Sequence, residues 1–239
     1  MMIRLDKYLT DMSVGSRSVV KKIIKSGRVL VDGKEVLKPE TKVDEKVSHI
    51  VVDGNEISYN KYEYYMLNKP QGCVSATSDK EHKTVIDIIE SSDKKNLFPV
   101  GRLDIDTEGL LLITNNGELA HKLLSPKKHV EKRYYVEVSG ILDENDIRKV
   151  KEGLDIGEKK NTLPAEMSDI KIDIEQATSS CILAIHEGKF HQVKRMMKKL
   201  GKTVTYLKRV SMGSLLLDDN LKCGEYRPLT DNEIDKLFQ

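Results

Sequence analysis

The chain has 239 residues, enough for one large domain or for a small domain joined to a medium-sized one, and we expect two domains. Apolar residues make up 38% and charged residues 33%, a balance that is typical of a globular protein and excludes a disordered chain. The N-terminus lacks the apolar stretch of a signal peptide, and no window approaches the ~18 apolar residues of a membrane span, so we expect a cytoplasmic protein without membrane contact.

The net charge is only +2, but the charges are unevenly distributed. Residues 1–28 contain seven basic and two acidic side chains, a local excess of +5, and residues 189–209 contain eight basic side chains and no acidic one. Such stretches repel themselves unless something negative lies against them, and phosphate is the commonest partner of that kind. An ordinary solvated helix face is the competing interpretation of either cluster alone. Together the two clusters favour an anionic partner.

The first 60 residues predict a small domain of helices followed by hairpins. After a short helical start, Ser16 is placed to cap a helix with apolar residues at helical spacing, which ends at Ser26-Gly27. RVLVDGKEV predicts a β-hairpin that turns at Asp32-Gly33, and VSHIVVDGNEI predicts a later strand with a second Asp-Gly turn. The unit is expected to close near Ser58.

From Tyr64 onward the pattern predicts a mixture of strands and helices. Five segments favour strands: YYMLNKPQG, LFPVGRLD, GLLLITNNG, RYYVEVSG and SCILAIHEG. Three segments favour helices: TVIDII, GELAHKLLSP and FHQVKRMMKKLG. The second helix is expected to end before Pro126 and the third at Gly201. Cys73, Cys181 and Cys223 are far apart and form no C-x-x-C pair, so we expect reduced thiols.

The densest chemical signal is GRLDIDTEGLLLITNNG, in which Asp104 is expected on a turn between two apolar strands. Asp104, Asp106 and Glu108 match the first acidic positions of a calcium-binding EF-hand loop, but the last ligand position holds Asn115 where a bidentate Glu is needed. The flanking segments also predict strands and not helices. A calcium site is therefore not expected.

A second interpretation is an aspartyl-phosphate hydrolase of the haloacid-dehalogenase type, whose D-x-D motif follows an apolar strand. Asp104 and Asp106 fit that spacing superficially. The preceding residues make a poor buried strand, Glu108 stands where that motif has Thr, and no acidic pair downstream would complete a magnesium site. We expect neither a metal nor a cofactor.

Resemblance to known families gives a third interpretation. RLDKYLT followed by GSRSVVKKIIKSGRVLVDGKEV resembles the S4 RNA-binding domain, and GRLDIDTEGLLL resembles the signature of pseudouridine synthases. KPQG upstream, EKRY downstream and EGKFHQVKRM later in the chain match the second family in the same order. The similarity covers essentially the whole chain, and an N-terminal S4 domain is typical of the branch of that family that modifies ribosomal RNA.

The resemblance implies a cofactor-free isomerisation of uridine to pseudouridine, in which the N1 to C1′ bond breaks and C5 joins the same sugar carbon. Asp104 would be the catalytic carboxylate, as a nucleophile or as a base, and the sequence leaves both routes open. Lys194 would hold it ionised and aimed, with Arg195 as a second candidate for that role. Tyr134 would stack on the flipped uridine, although its alternation with Val136 also fits an ordinary core position.

Further positions follow from the same resemblance. The expected substrate pocket includes four more side chains: Arg102, Ile185, His191 and Arg195. The expected RNA-binding side chains are basic: Arg4, Arg17, Lys21, Lys22, Lys25, Arg28 and Lys69. His191 has no His, Asp or Glu cluster around it in the sequence, so it is expected to contact RNA or the fold and not a metal.

The sequence thus predicts an α+β protein, with an S4 domain at residues 1–60 and a pseudouridine synthase domain at residues 61–239 around a mixed, largely antiparallel sheet. The expected partner is ribosomal RNA, free or in a partly assembled small subunit, and we expect a monomer. YYMLNKPQGCVSAT and EGKFHQVKRM favour 16S rRNA as the target. The alternatives are a large-subunit (23S) rRNA pseudouridine synthase and a non-catalytic RNA-binding assembly factor, which would be expected to lack the acidic residue.

Overall fold

The computed structural model describes residues 2–12, 14–45, 47–57, 59, 62–91 and 94–238. These residues form two compact units: the first comprises the described residues up to Tyr62 together with Ser91, and the second comprises Glu63–Glu90 and the described residues from Lys94 onward. The expected domain boundary between residues 60 and 61, like the expected close of the first unit near Ser58, lies outside the described residues.

The first unit contains two helices and six short strands within its described residues. In chain order these are β1 (Met2–Arg4), α1 (Leu5–Asp11), α2 (Arg17–Lys25), β2 (Val29–Val31), β3 (Lys34–Glu35), β4 (Lys42–Asp44), β5 (Ile50–Val52) and β6 (Asn55–Glu56). Strands β3, β2, β5 and β6 form one sheet, and β1 pairs with β4.

Local sequence signals explain the first unit well. The Ser16 side chain accepts a hydrogen bond from the backbone N–H of Val19, as an N-cap should, and α2 buries Val20, Ile23 and Ile24 in the unit's own core. Asp32 and Asp53 adopt positive φ, each followed by a glycine, so both Asp-Gly hairpin turns are confirmed.

The second unit contains five helices and nine strands over the part of it that the structure describes. In chain order these are β7 (Tyr64–Lys69), α3 (Val85–Ile88), β8 (Phe98–Pro99), β9 (Glu108–Thr114), α4 (Gly117–Leu124), β10 (Lys132–Ser139), α5 (Glu144–Glu152), β11 (Glu166–Asp173), β12 (Thr178–Ile185), α6 (Gln192–Lys199), β13 (Thr203–Met212), β14 (Leu215–Leu216), β15 (Tyr226–Pro228) and α7 (Asp231–Phe238). Short 3-10 turns occur at Lys94–Asn96 and Pro126–Lys128.

The nine strands form one mixed sheet. Its order is β11-β12-β10-β13-β9-β7-β15, with β8 on β9 and β14 on β13. The pair β9–β13 is parallel, and the other neighbours in this order are antiparallel. The expected α+β class with a mixed, largely antiparallel sheet is therefore confirmed.

Both faces of the sheet centre are covered, and β9 shows why its sequence is apolar throughout. Leu111 and Ile113 belong to the core on the face packed by α5 and α6, whereas Leu110 and Leu112 belong to the core on the face packed by α4 and α7. A strand that is buried on both sides needs apolar residues at every position, whereas a strand with one solvent-exposed face alternates apolar and polar residues. The GLLLI run therefore places β9 in the middle of the domain.

The helices and strands predicted from sequence are present. Helix α4 ends before Pro126 and α6 ends before Gly201, which has positive φ. The sequence does not predict two of the helices, α5 and α7, or six of the strands: β1, β4, β11, β13, β14 and β15. Within the described ranges, no helix combines the length and the apolar character that a membrane span requires.

Candidate active site

Asp104 lies on the loop that joins β8 to β9, as expected. The backbone N–H of Thr107 donates to the carbonyl of Asp104 at 3.1 Å, which closes the loop as a turn. Ser75 fixes Leu103, the residue before Asp104. The Ser75 hydroxyl donates to the carbonyl of Leu103 at 2.9 Å and accepts from the N–H of Leu103 at 3.0 Å. The carboxylate thus projects from a backbone that other segments fix.

Lys69 supports the same loop from beneath. Its side chain is fully buried, and its ammonium donates to the carbonyls of Asp104 and Thr107, both at 2.9 Å, and to that of Pro70 at 3.0 Å. Burial lowers the pKa of Lys69. The assignment of Lys69 to the RNA-binding surface is therefore wrong, because this ammonium faces the interior and holds the Asp104 loop in place.

Gly109 fixes the start of β9, five residues after Asp104. Its φ is +100°, and a Cβ there would lie 2.2 Å from the carbonyl oxygen of Arg209. A side chain would therefore clash with the parallel partner strand at the pair Arg209–Gly109. Only glycine lets β9 and β13 approach closely enough to anchor this end of the Asp104 loop.

Lys194 supplies the cation next to Asp104. It lies in the first turn of α6, and its ammonium is 3.1 Å from Oδ2 of Asp104 and 2.5 Å from Oδ1 of Asp106. Burial alone would lower the pKa of Lys194, but the bonds to Asp106 and Asp104 raise it above its ordinary value. The hydrogen bond from Lys194 also lowers the pKa of Asp106. Lys194 is thus a charged partner shared by two carboxylates.

His191 approaches the other oxygen of Asp104, with Nε2 3.6 Å from Oδ1. It precedes α6 in a left-handed conformation with φ +49°, which is uncommon for a residue other than glycine. Together, Lys194 and His191 place nitrogen atoms near both oxygens of the Asp104 carboxylate.

An open cleft surrounds Asp104. Tyr134 of β10 and Ile185 at the end of β12 form part of its apolar wall, and both are buried. The residues that line the cleft are Arg102, Leu103, Asp104, Thr107, Tyr134, Ile185, Gly188, Lys189, His191, Gln192, Val193, Lys194 and Leu207. This lining contains three Lys or Arg side chains and one carboxylate, so the cleft favours an anionic ligand.

The two predicted arginines of the pocket have different surroundings. Arg102 lines the cleft and its side chain is exposed. Arg195 does not approach Asp104: its guanidinium pairs with Glu158 at 2.7 Å and donates to the carbonyls of Phe190 and Ile156. The expectation that Arg195 could replace Lys194 as the partner of Asp104 is therefore wrong.

The predicted cations of the first unit fall into two groups. Arg17, Lys21, Lys22 and Lys25 are exposed on α2. The other two predicted arginines are paired within the fold: Arg4 bonds to Asp6 at 2.8 Å, and Arg28 bonds to Asp53 at 2.7 Å. Among the predicted cations of this unit, those on α2 are therefore the ones available to a partner.

Neither the thiols nor the acidic residues suggest a metal centre. Cys73, Cys181 and Cys223 are free, as expected. Within the described part of the chain, no three His, Cys, Asp or Glu side chains cluster as metal ligands.

Sequence reasoning missed three contributors to this site. In the sequence, Asp106 enters only the calcium and hydrolase interpretations, Ser75 has no distinguishing neighbours, and Phe190 belongs to a predicted helix although it lies in the turn before α6. The exposed cation pattern after residue 189 could have drawn attention to Phe190, because aromatic side chains among cations are typical of nucleic-acid surfaces.

The arrangement can present an ionised carboxylate, paired with an ammonium, to a ligand held against a tyrosine in a positively lined cleft. Such a carboxylate can act as a nucleophile or as a base without a further cofactor. A flat, uncharged group carried on a phosphate backbone fits the walls and the charge of the cleft.

Comparison with known proteins identifies the class. Residues 63–199 match the family model described as RNA pseudouridylate synthase, and residues 3–48 match the S4 domain. The chain belongs to the RNA pseudouridylate synthase family and is an isomerase that carries an S4 domain at its N-terminus.

Named relatives span nearly the whole chain. An uncharacterized RNA pseudouridine synthase of Bacillus subtilis (strain 168) is 44% identical over 98% of each chain. The ribosomal small subunit pseudouridine synthase A of Vibrio parahaemolyticus is 38% identical, over 99% of this chain and 100% of the relative. The ribosomal large subunit pseudouridine synthase B of Bacillus subtilis is 37% identical, over 99% of this chain and 96% of the relative.

A solved structure supports the same family. It is described as a crystal structure of pseudouridylate synthase and is 36% identical to this chain, with a TM-score of 0.66 over 98% of this chain and 99% of its own.

Proposed function

We propose that this enzyme converts a uridine of ribosomal RNA to pseudouridine, that the target lies in 16S rRNA, and that Asp104 is the catalytic carboxylate. The observation that carries the proposal is the Asp104 carboxylate beside Lys194 in a positively lined cleft. The names of relatives that act on ribosomal subunits support an rRNA substrate.

The small subunit is favoured by the relatives and by the sequence. Relatives of Vibrio parahaemolyticus and Haemophilus influenzae are both named ribosomal small subunit pseudouridine synthase A and align over 99% of this chain. The YYMLNKPQGCVSAT and EGKFHQVKRM segments point the same way. Because a large-subunit enzyme is 37% identical, 23S rRNA is the alternative target that the experiment must test.

In the proposed reaction, Asp104 starts the transfer and Lys194 orients its carboxylate. The bond between N1 of the base and C1′ of the sugar breaks, and C5 forms a bond with C1′. The proton that leaves C5 is balanced by one gained at N1, so the reaction needs no oxidant or reductant. Whether Asp104 acts as nucleophile or base, its carboxylate must be held in place at the moment of attack, and the ammonium at 3.1 Å holds it there.

The target uridine must leave its stack to reach Asp104, because a base within folded RNA is covered by its neighbours. We assign Tyr134 and Ile185 to the two sides of the flipped base, since both line the cleft beside Asp104. Arg102 and His191, at the same cleft, are assigned to the RNA strand around the target. The enzyme is proposed to work as a monomer.

Residues 1–60 are proposed to hold the RNA through α2. Replacing Lys21, Lys22 and Lys25 together by Gln should weaken RNA binding and flatten its salt dependence, by about 0.7–0.9 in log–log slope for each phosphate that the variant no longer neutralises. The matched control replaces Lys34, Lys38 and Lys42, exposed lysines of the same unit, and removes the same charge. Equal slopes in the two triple variants would remove α2 from the RNA interface.

The target is tested by mapping pseudouridines in 16S and 23S rRNA from cells with and without this protein, with the wild-type gene restored as a control. We expect one 16S uridine to lose its modification and to regain it on complementation. A lost site in 23S rRNA would contradict the small-subunit assignment, and unchanged maps of both RNAs would contradict an rRNA substrate.

A further inference from the structure

Phe190 is an exposed aromatic side chain at the edge of the Asp104 cleft. It lies in the turn between β12 and α6 and is 67% exposed, whereas Lys189 and His191 on either side of it line the cleft. A lone exposed apolar side chain needs no explanation. The surroundings of Phe190, however, indicate a role for this one.

The ring of Phe190 stacks on the ring of His191, with centroids 3.7 Å apart and planes 20° apart. One face of the phenyl ring is therefore covered, and its high exposure leaves the opposite face open to solvent. His191 in turn has its Nε2 3.6 Å from Asp104 Oδ1. The open aromatic face is thus connected through one side chain to the candidate catalytic carboxylate.

The turn that presents Phe190 is held in place. Arg195 donates to the Phe190 carbonyl at 3.1 Å and is itself anchored on Glu158. The buried side chain of Gln192 accepts from the N–H of Lys189 at 2.9 Å. His191 has a φ of +49°, a strained backbone geometry that persists only where surrounding contacts fix it. A fixed aromatic face loses little conformational entropy on binding.

The nearby charge indicates what kind of ligand this face suits. Lys189 and Arg102 line the adjoining cleft, and Lys159 and Lys160 are exposed on the segment whose carbonyls hold the Lys189 ammonium. A flat aromatic face beside cations is the combination that binds single-stranded nucleic acid, because bases stack on the ring while the cations contact phosphates.

We propose that Phe190, backed by His191, is a stacking platform for the nucleobase directly next to the target uridine. This inference rests on the proposed function, since a uridine turned into the Asp104 cleft leaves its neighbour at the cleft edge. Arg195, which does not reach Asp104, contributes by holding the Phe190 carbonyl.

The test uses the full chain and a 30-nucleotide RNA around the uridine that the wild-type enzyme modifies. 2-Aminopurine replaces the base on either the 5′ or the 3′ side of that uridine, and its fluorescence falls when it stacks. Wild-type protein should quench one of the two probes. Phe190→Leu should abolish that quenching and weaken RNA binding by at least about 5-fold. Phe190→Trp should retain both properties.

Phe238→Leu is the matched control, because Phe238 is also exposed but lies at the end of α7. It should bind and quench as wild type does. An abasic site at the quenched position should remove the difference in affinity between wild type and Phe190→Leu, because the platform then has no base to hold. Absence of quenching at both positions, or wild-type affinity in Phe190→Leu, would overturn the proposal.

A second RNA distinguishes failure of the stacking platform from failure of the proposed function. If no rRNA uridine is modified, the same proteins are compared on a nine-nucleotide oligouridylate that carries 2-aminopurine at its centre. Quenching that depends on Phe190 would then support the platform without the rRNA assignment. Quenching that is equal in wild type and Phe190→Leu would overturn the platform.

Discussion

Replacing Lys69 by Met should disable the Asp104 loop while leaving the cleft lining in place. Methionine has a similar length but cannot donate, so three carbonyls, those of Pro70, Asp104 and Thr107, would lose their bonds to a buried ammonium. Hydrogen bonds to a charged donor contribute about 1.5–3 kcal/mol each. Burial of the ammonium costs several kcal/mol, and the variant no longer has this cost, which offsets part of the loss. We expect the free energy of unfolding to fall by about 3 kcal/mol.

The effect on activity should exceed the effect on the folded fraction. A displacement of about 1 Å at a reacting group can cost ~100-fold in rate, so we expect a decrease of about 10- to 100-fold in kcat under conditions where the variant is fully folded. Urea unfolding measures the stability, and release of tritium from 5-tritiated uridine in RNA measures the turnover. Lys80→Met, which removes an exposed lysine from the segment between β7 and α3, is the control. Wild-type kcat in folded Lys69→Met would refute the role of this ammonium in holding the loop.

Two further substitutions test the packing around the site and the pH dependence of stability. Gly109→Ala should destabilise the protein by about 3 kcal/mol in urea unfolding, because the new Cβ would meet the Arg209 backbone and the backbone has positive φ. Gly117→Ala is the control and should be nearly neutral, because there is open space around Gly117. Equal stabilities of the two variants would contradict the close approach of β9 and β13. The Arg227 guanidinium lowers the pKa of Glu233 from 4.5 to about 2. The ionised Glu233 therefore stabilises the folded protein by roughly 1–2 kcal/mol after solvent screening. This contribution is present above pH 4.5 and is lost as the pH falls towards 2. Glu233→Gln should flatten that acid limb of the stability curve, and an unchanged limb would contradict the assignment.

Local signals predicted much of the fold. The Ser16 cap, the two Asp-Gly turns and the apolar GLLLI run each encode their structure within a few residues, and all are observed. The edge strand β11 pairs through a register shift and has exposed residues along most of its length, so its sequence carries no regular alternation that would mark it as a strand.

The candidate site was less predictable, because it joins residues far apart in sequence. Asp104 and Lys194 are 90 positions apart, and only the family resemblance linked them before the geometry placed them 3.1 Å apart. Arg195 was misplaced because adjacent residues on a helix point about 100° apart, so the neighbour of a cleft residue faces elsewhere. Lys69 was misplaced because a lysine in a sequence suggests a solvated charge, whereas this one has three carbonyl acceptors that only the folded chain assembles.

The most direct test of the account is the pseudouridine yield of Asp104→Asn on rRNA, measured with its RNA affinity in the same preparation. The substitution keeps the side-chain size and removes the ionisable oxygen, so we expect no detectable pseudouridine and an affinity within a few-fold of wild type. The matched variant Asp106→Asn, which changes the other carboxylate bonded to Lys194, should retain pseudouridine formation. Pseudouridine formation by Asp104→Asn at the wild-type rate would contradict the assignment of Asp104 as the catalytic carboxylate.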